Sequence, residues 1–342
     1  MAYSIEKAKQ EVIRAGKELL EHGLIARTWG NISARISETQ FVITPSGRSY
    51  ETLTPEDLPL VNIADGSYEG DIRPSSEKGV HAVIYRLLPD VDFVIHTHQS
   101  NASALSVLGE DHDLYEMSSD LISSAEREVL GPYIPTAEYG MSATQKLTDA
   151  VCRAVDEYFD CSTVLLKYHG AVCWGADYES AFRAAYTLED VSGRIYQRLC
   201  GIDLGLPAGR RQQKPLKRGY AIRLRTPFVM EMSRLEREMF PYLDDMAQIA
   251  GVSVRCVPRD ASNAEIGKAL RKRNAVFLAG DGAICVGPDK DEAEAVCLVM
   301  EKNCQAAYLA MKMAVKPLPP GIARRDRSFY VDHYAARKDE AE

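Results

Sequence analysis

Two segments of this chain repeat one another at a fixed offset of 112 residues, and that repeat restricts the available folds more than any other feature. Val164-Leu165-Leu166-Lys167-Tyr168-His169-Gly170-Ala171-Val172-Cys173-Trp174-Gly175 is matched by Val276-Phe277-Leu278-Ala279-Gly280-Asp281-Gly282-Ala283-Ile284-Cys285-Val286-Gly287. Each reads as two short apolar strands that meet at a turn ending in glycine, and each runs into a long helix. A unit that occurs twice predicts two related α/β layers, the second a partial copy. The copy is incomplete in sequence, because Asp281 stands where the first half has His169. No counterpart is visible for the Gly30-Asn31 turn, the Ser75-Ser76-Glu77 segment or the His96-Thr97-His98 strand. His333 is the only histidine of the second half, so histidine chemistry is expected from the first half alone.

That chemistry centres on Asp92 to Ala104. Phe93-Val94-Ile95 is a short apolar strand that runs into His96 and His98. Residues two apart in an extended backbone share a face, so both imidazoles can reach one borderline divalent metal. His169, at the end of an apolar strand with Gly170 behind it, suits a third ligand, and three protein ligands leave a coordination position open. Glu77 is placed to act as base or as a fourth ligand. Ser75 and Ser76 lead a helix from Lys78 to Leu88, where free amides and the helix dipole favour an anion; the same residues also suit a plain cap. Gly30-Asn31 and Pro45-Ser46-Gly47 are turns with exposed amides. His81 reads as a core or supporting residue, Trp29 and Trp174 as packing residues, and His22 and His112 have no assignable partner.

Of the 342 residues, 46% are apolar and 26% charged, which is ordinary for a globular protein. Acidic residues outnumber basic ones by 49 to 41, and no basic stripe occurs, so nucleic acid is not an expected partner. Residues 4 to 22 form an amphipathic helix rather than a signal peptide or a membrane span, which predicts a cytoplasmic protein without a membrane partner. Eight cysteines without a C-x-x-C pair argue against disulfides or a cysteine zinc site. Tyr133 to Ala137 reads as one strand. The stretch 201–220, with its glycines, prolines and basic side chains, reads as a linker. The expected organisation is a catalytic domain at 1–205, a linker at 206–220 and a degenerate half-repeat at 221–342 with a structural or oligomerisation role.

Taken in order, Gly30-Asn31, Thr44-Pro45-Ser46-Gly47, Pro74-Ser75-Ser76-Glu77, His96-Thr97-His98 and Tyr168-His169-Gly170 resemble the class II aldolase and adducin head family over about residues 4–200. Its small-sugar members include L-fuculose-1-phosphate aldolase. The resemblance implies a three-layer α/β/α fold with a largely antiparallel central sheet, assembled as a homo-oligomer, normally a tetramer. It implies Zn2+, or Mn2+ or Co2+, held by His96, His98 and His169, with Glu77 as proton-abstracting base and resting ligand. Gly30, Asn31, Ser46, Gly47, Ser75 and Ser76 would surround the phosphate of a phosphorylated sugar. Tyr115 stands where such aldolases take a proton-donating tyrosine from a neighbouring subunit, with Glu116 as the alternative alignment. The implied reaction is cleavage or formation of a carbon-carbon bond in a phosphorylated ketose through a metal-stabilised enediolate. Related members are 4-epimerases, dehydratases or decarboxylases, but the epimerase branch carries aspartate and usually lysine where this chain has Glu77 and Thr44. Adducin heads keep the fold for assembly and lose the ligand set.

Overall fold

The computed structural model describes residues 3–201, 210–215 and 219–332. His333 lies outside them. The chain forms two compact units, Met1–Ile195 and Tyr196–Glu342.

The first unit opens with α1 (Ile5–Glu21), capped by the Ser4 hydroxyl and burying Ala8, Val12, Ala15 and Leu19 at helical spacing. There follow β1 (Asn31–Arg35), β2 (Gln40–Ile43), a 3-10 turn (Pro55–Asp57), β3 (Leu60–Asn62), α2 (Lys78–Leu87), β4 (Phe93–Thr97) and α3 (Ser100–Ser106). Next come β5 (His112–Asp113), α4 (Ser124–Leu130), β6 (Tyr133–Ile134), β7 (Thr136–Ala137), α5 (Gln145–Glu157), β8 (Thr163–Leu166), β9 (Gly170–Gly175) and α6 (Tyr178–Cys200), whose last residues from Tyr196 fall in the second unit. The strand expected over Tyr133 to Ala137 is two strands. Pro135 has no N–H to give a ladder, and the chain leaves β6, paired with β5, for β7 in the main sheet.

Seven strands make that sheet in the order β3-β2-β1-β4-β9-β8-β7. Only the β7·β8 pair is parallel. On one face Phe41, Val94, Val164 and Val172 pack with Ile84 of α2 and Val151 of α5; each such side chain contributes about 1.5–3 kcal/mol by its burial. On the other face Phe93 meets Tyr3 and Tyr178 edge-on. This is the three-layer arrangement with a largely antiparallel centre that the sequence led us to expect.

In the second unit β10 (Arg210–Pro215), β11 (Tyr220–Arg225), α7 (Pro227–Ser233), α8 (Asp244–Ile249), β12 (Arg255–Val257), α9 (Asn263–Ala269), β13 (Ala275–Leu278), β14 (Ala283–Gly287), α10 (Lys290–Lys312) and α11 (Pro320–Tyr330) follow in turn. Its sheet runs β10-β11-β14-β13-β12, again with one parallel pair, β12·β13. These five strands reproduce β1-β4-β9-β8-β7 in order and direction. The segment read as linker therefore supplies strand β10, while 206–209 and 216–218 lie outside the described residues. Arg-Arg-Gln-Gln-Lys-Pro has no apolar face to betray a strand, and its charge suits a sheet edge.

Register makes the repeat deeper than its sequence. His96 pairs with Val172 across β4·β9, and Arg223 pairs with Ile284 across β11·β14, the two partners being separated by the repeat offset. Tyr220–Arg225 is thus the counterpart of the His-x-His strand, which sequence comparison alone did not find. Pairing needs backbone bonds and apolar alternation, which both strands keep, so their polar positions were free to differ.

Both copies also need glycine at the same place. A Cβ on Gly170 would lie 2.3 Å from the Thr97 carbonyl oxygen, and one on Gly282 2.2 Å from that of Leu224. Gly282→Ala is expected to cost roughly 2–4 kcal/mol in urea unfolding, whereas a loss below about 0.5 kcal/mol would show that the strands do not approach so closely.

Candidate metal centre

Alternation along β4 turns Val94 toward α2 and α5. His96 and His98, two and four residues on, continue that face and meet the N-terminal end of α2. His169 reaches the same point from the β8–β9 hairpin, where Tyr168 takes a left-handed φ of 65° and the His169 N–H bonds Leu166 O at 2.9 Å. The Nε2 atoms of His98 and His169 each lie 3.1 Å from Nε2 of His96.

Whether these residues suit a metal is decided by the direction of their lone pairs. His96 Nδ1 lies 2.8 Å from Ala171 O, a group that only accepts, so the proton sits on Nδ1 and the Nε2 lone pair faces the other imidazoles. Tetrahedral zinc with bonds of about 2.0–2.1 Å would place ligand nitrogens roughly 3.3–3.4 Å apart, close to the spacing seen. The triad therefore fits a divalent cation of the zinc type.

Glu77 completes the cluster. It is the residue before α2, and its carboxylate makes no cap bond to the helix. Instead Oε2 lies 3.2 Å from His96 Nε2 and Oε1 3.3 Å from His169 Nε2. Ser142 Oγ donates to Oε1 at 2.7 Å and Asn31 Nδ2 to Oε2 at 3.0 Å. Burial alone would push this carboxyl up, but positive charge on the neighbouring His96 and His169 rings overcomes it and holds it well below the usual range; a cation held by the same Nε2 atoms would supply that charge with the rings neutral. Glu77 is thus a carboxylate, able to ligate a cation or accept a proton.

Behind Glu77 runs a buried chain of hydrogen bonds. The His81 Nε2–H donates to Asn31 Oδ1, because a carboxamide oxygen only accepts. His81 Nδ1 must then accept from Ser33 Oγ at 2.6 Å, and Ser33 in turn accepts from the Tyr85 hydroxyl at 2.7 Å. Every donor points toward Glu77. Burial pushes His81 down to about 3, so the ring stays neutral and the direction of the chain is kept at working pH. His81 is therefore a supporting residue of the centre.

The expected phosphate-binding residues also converge. Ser46 N–H bonds Arg73 O and Ser75 N–H bonds Thr44 O, each at 3.0 Å, which lays the Pro45-Ser46-Gly47 turn beside Ser75 and Ser76. Thr44 N–H bonds Ile32 O at 3.0 Å and so joins this turn to Gly30 and Asn31. Ser75 Oγ accepts from Glu77 N–H at 3.3 Å and does not cap the helix. Asn31 directs its carboxamide to Glu77 and His81 rather than outward. A cleft of about 390 Å³ opens beside Ser76 and Glu77, bordered by Lys78 and Thr144. Tyr115 is 72% exposed, in a turn held by its N–H to Asp113, and is not brought to the histidines of its own chain. Sequence reading missed Ser142, which lies 65 residues from Glu77 with no motif to mark it.

The model of the Class II Aldolase and Adducin N-terminal domain matches residues 10–194 and 219–308. The chain belongs to this family. The two matched segments fall on the two sheets, as a class II aldolase fold with a partial second copy requires. An L-fuculose 1-phosphate aldolase is 29% identical, with a TM-score of 0.51 over 60% of this chain and 91% of that one. L-fuculose-1-phosphate aldolase from Thermus thermophilus is also 29% identical, over 58% and 97% of the two chains, with a TM-score of 0.46. YgbL from Klebsiella pneumoniae, whose description spans aldolase, epimerase and decarboxylase, is 21% identical over 57% and 91%, with a TM-score of 0.50.

Two measurements test this family site. Wild-type protein is expected to bind about one zinc per chain and His96→Ala close to none by elemental analysis after dialysis. Ser33→Ala leaves His81 Nδ1 buried without its donor and is expected to lower unfolding free energy by about 1–3 kcal/mol; no change would dissolve the hydrogen-bond chain.

Proposed function

We propose that the protein is a divalent-metal-dependent class II aldolase that makes or breaks a carbon-carbon bond in a phosphorylated ketose, with zinc as its cation, in the cytoplasm. The observation that carries this reading is Glu77. One ionised carboxylate divides its two oxygens between His96 and His169, inside a triad whose Nε2 atoms converge. An assembly module without chemistry has no use for such a cluster, since gathering a buried carboxylate and three imidazoles costs desolvation energy.

When bound, a divalent cation supplies the positive charge that polarises a substrate carbonyl and stabilises the negative charge developing beside it. The chain's own residues do the rest. Glu77 takes a proton from the substrate and returns it, while Ser142 and Asn31 fix the orientation of its two oxygens. The hydroxyls of Ser46, Ser75 and Ser76 and the amides of Gly47 and Ser76, beside the Gly30-Asn31 turn, serve the substrate phosphate, which holds the reacting carbons in register. Tyr115 is exposed and available to a neighbouring copy, where its hydroxyl serves as proton donor in a homo-oligomer, a tetramer by family analogy. The second unit, without a triad, serves structure or assembly as residues 221–342 of the expected domain plan.

Zinc-loaded protein is expected to release dihydroxyacetone phosphate from one member of a panel of ketose 1-phosphates. Glu77→Gln is expected to lower kcat by about 10²–10⁴-fold in the same assay. A panel without turnover in the wild type, or a Glu77→Gln enzyme as fast as the wild type, sinks the assignment. Repeating the assay with Mn2+ and Co2+ identifies the preferred cation.

A further inference from the structure

The second unit carries other polar side chains at the positions of the triad. Strand register sets Arg223 where the first unit has His96, and Arg225 two residues on where it has His98. Asp281 takes the place of His169 in the hairpin. A fourth position follows from the parallel pairs, because Val257 stands opposite Leu278 as Ala137 stands opposite Leu166. Two residues further on, Arg259 occupies the place of Tyr139.

All four side chains meet. Arg223 Nη2 donates to Asp281 Oδ2. Arg225 Nε donates to Oδ1 at 2.8 Å, with its Nη2 2.7 Å from the same oxygen, and Arg259 Nε lies 3.4 Å from Oδ2. The Asp281 side chain is 7% exposed, against 31%, 29% and 72% for those of Arg223, Arg225 and Arg259.

Charge and donor count separate this cluster from a pair that merely staples two strands. Three guanidiniums face one carboxylate, which leaves an excess of two positive charges. Each guanidinium has about five N–H donors, whereas a carboxylate accepts at roughly four sites, so most donors have no acceptor within the cluster. Arg223 Nε is buried without a hydrogen-bond partner among the described residues. One carboxylate would staple the two strands with a single arginine, so the second and third guanidiniums bring donors beyond what the strand pairing uses.

We propose that Arg223, Arg225 and Arg259, splayed around Asp281, form an anion-binding site of the second unit that takes a small oxyanion, the phosphoryl group of a metabolite or free phosphate. Asp281 holds the arginines in place, and their outward edges present planar donor pairs of the geometry that phosphate oxygens accept. The site shares no residue with the histidine centre, so it does not depend on the activity proposed above.

Isothermal titration of the full chain, metal-free and at about 0.15 M salt to screen weak surface binding, tests the site with inorganic phosphate and, separately, fructose 1-phosphate. Arg259 is largely exposed, so Arg259→Ala is expected to keep the wild-type Tm yet weaken one binding event by about tenfold or more, with Arg259→Lys in between because it keeps the charge and loses the fork. Asp281→Asn keeps a side chain of the same shape among the arginines but removes its competing charge, and is expected to tighten phosphate binding, with a larger phosphate-induced rise in Tm than in wild type. A binding event that weakens with Arg259→Ala for both probes assigns the site to the phosphoryl group alone, and one that weakens for fructose 1-phosphate only assigns it to a phosphorylated sugar, while an event that Arg259→Ala leaves unchanged belongs to the pocket of the first unit. The proposal is overturned if wild type and Arg259→Ala give the same isotherms for both probes. It is equally overturned if Asp281→Asn lowers Tm and phosphate restores none of the loss.

Discussion

Everything in this protein hangs on the close pairing of one strand with the second arm of a hairpin: β4 with β9 in the first unit, β11 with β14 in the second. Gly170 and Gly282 permit it, since a side chain at either would collide with the facing carbonyl. The pairing brings the polar end of one strand level with the turn residue of the hairpin. Three side chains from two distant segments then converge at a single point, whatever their identity. The first unit places imidazoles there and the second a carboxylate among guanidiniums.

In the first unit the consequence is a set of groups whose protonation is decided by their neighbours. His96 Nδ1 is committed to Ala171 O, and positive charge on the two flanking imidazoles, or on a cation that they would hold, keeps buried Glu77 ionised. The chain Tyr85–Ser33–His81–Asn31 adds direction, delivering an N–H to one carboxylate oxygen while Ser142 serves the other. Such a satisfied network is rigid, because each member left without its partner would cost desolvation energy in a low-dielectric interior. Rigidity of this kind suits a base that must return to one position.

The second unit keeps the fold with different side chains at the same points. Sheet order, strand direction and the glycine of the hairpin are retained, while all three ligand positions differ. A histidine triad and an arginine-aspartate cluster are both ways of bringing polar side chains together at a strand end that would otherwise leave them unpaired. The first gathers nitrogens around a point that suits a cation, and the second gathers guanidinium donors around the Asp281 carboxylate. Opposite ligands therefore suit the two equivalent places.

Sequence alone determined the family, the five ordered motifs, the catalytic role expected of the first half and the existence of a second copy. Those signals are local: His-x-His on a strand, Ser-Ser-Glu before a helix and the apolar strand-turn-strand pattern each lie within a few residues. Only tertiary structure decided that Arg223 and Arg225 replace His96 and His98, that Arg210–Pro215 is a strand and not a linker, and that Asn31 turns its carboxamide to Glu77. It alone brought Ser142 and Ser33 into the centre and left Tyr115 exposed. The reason is that register and side-chain partners between segments far apart in the chain are set by backbone pairing and packing, and those constraints leave no mark on the identity of any single polar residue.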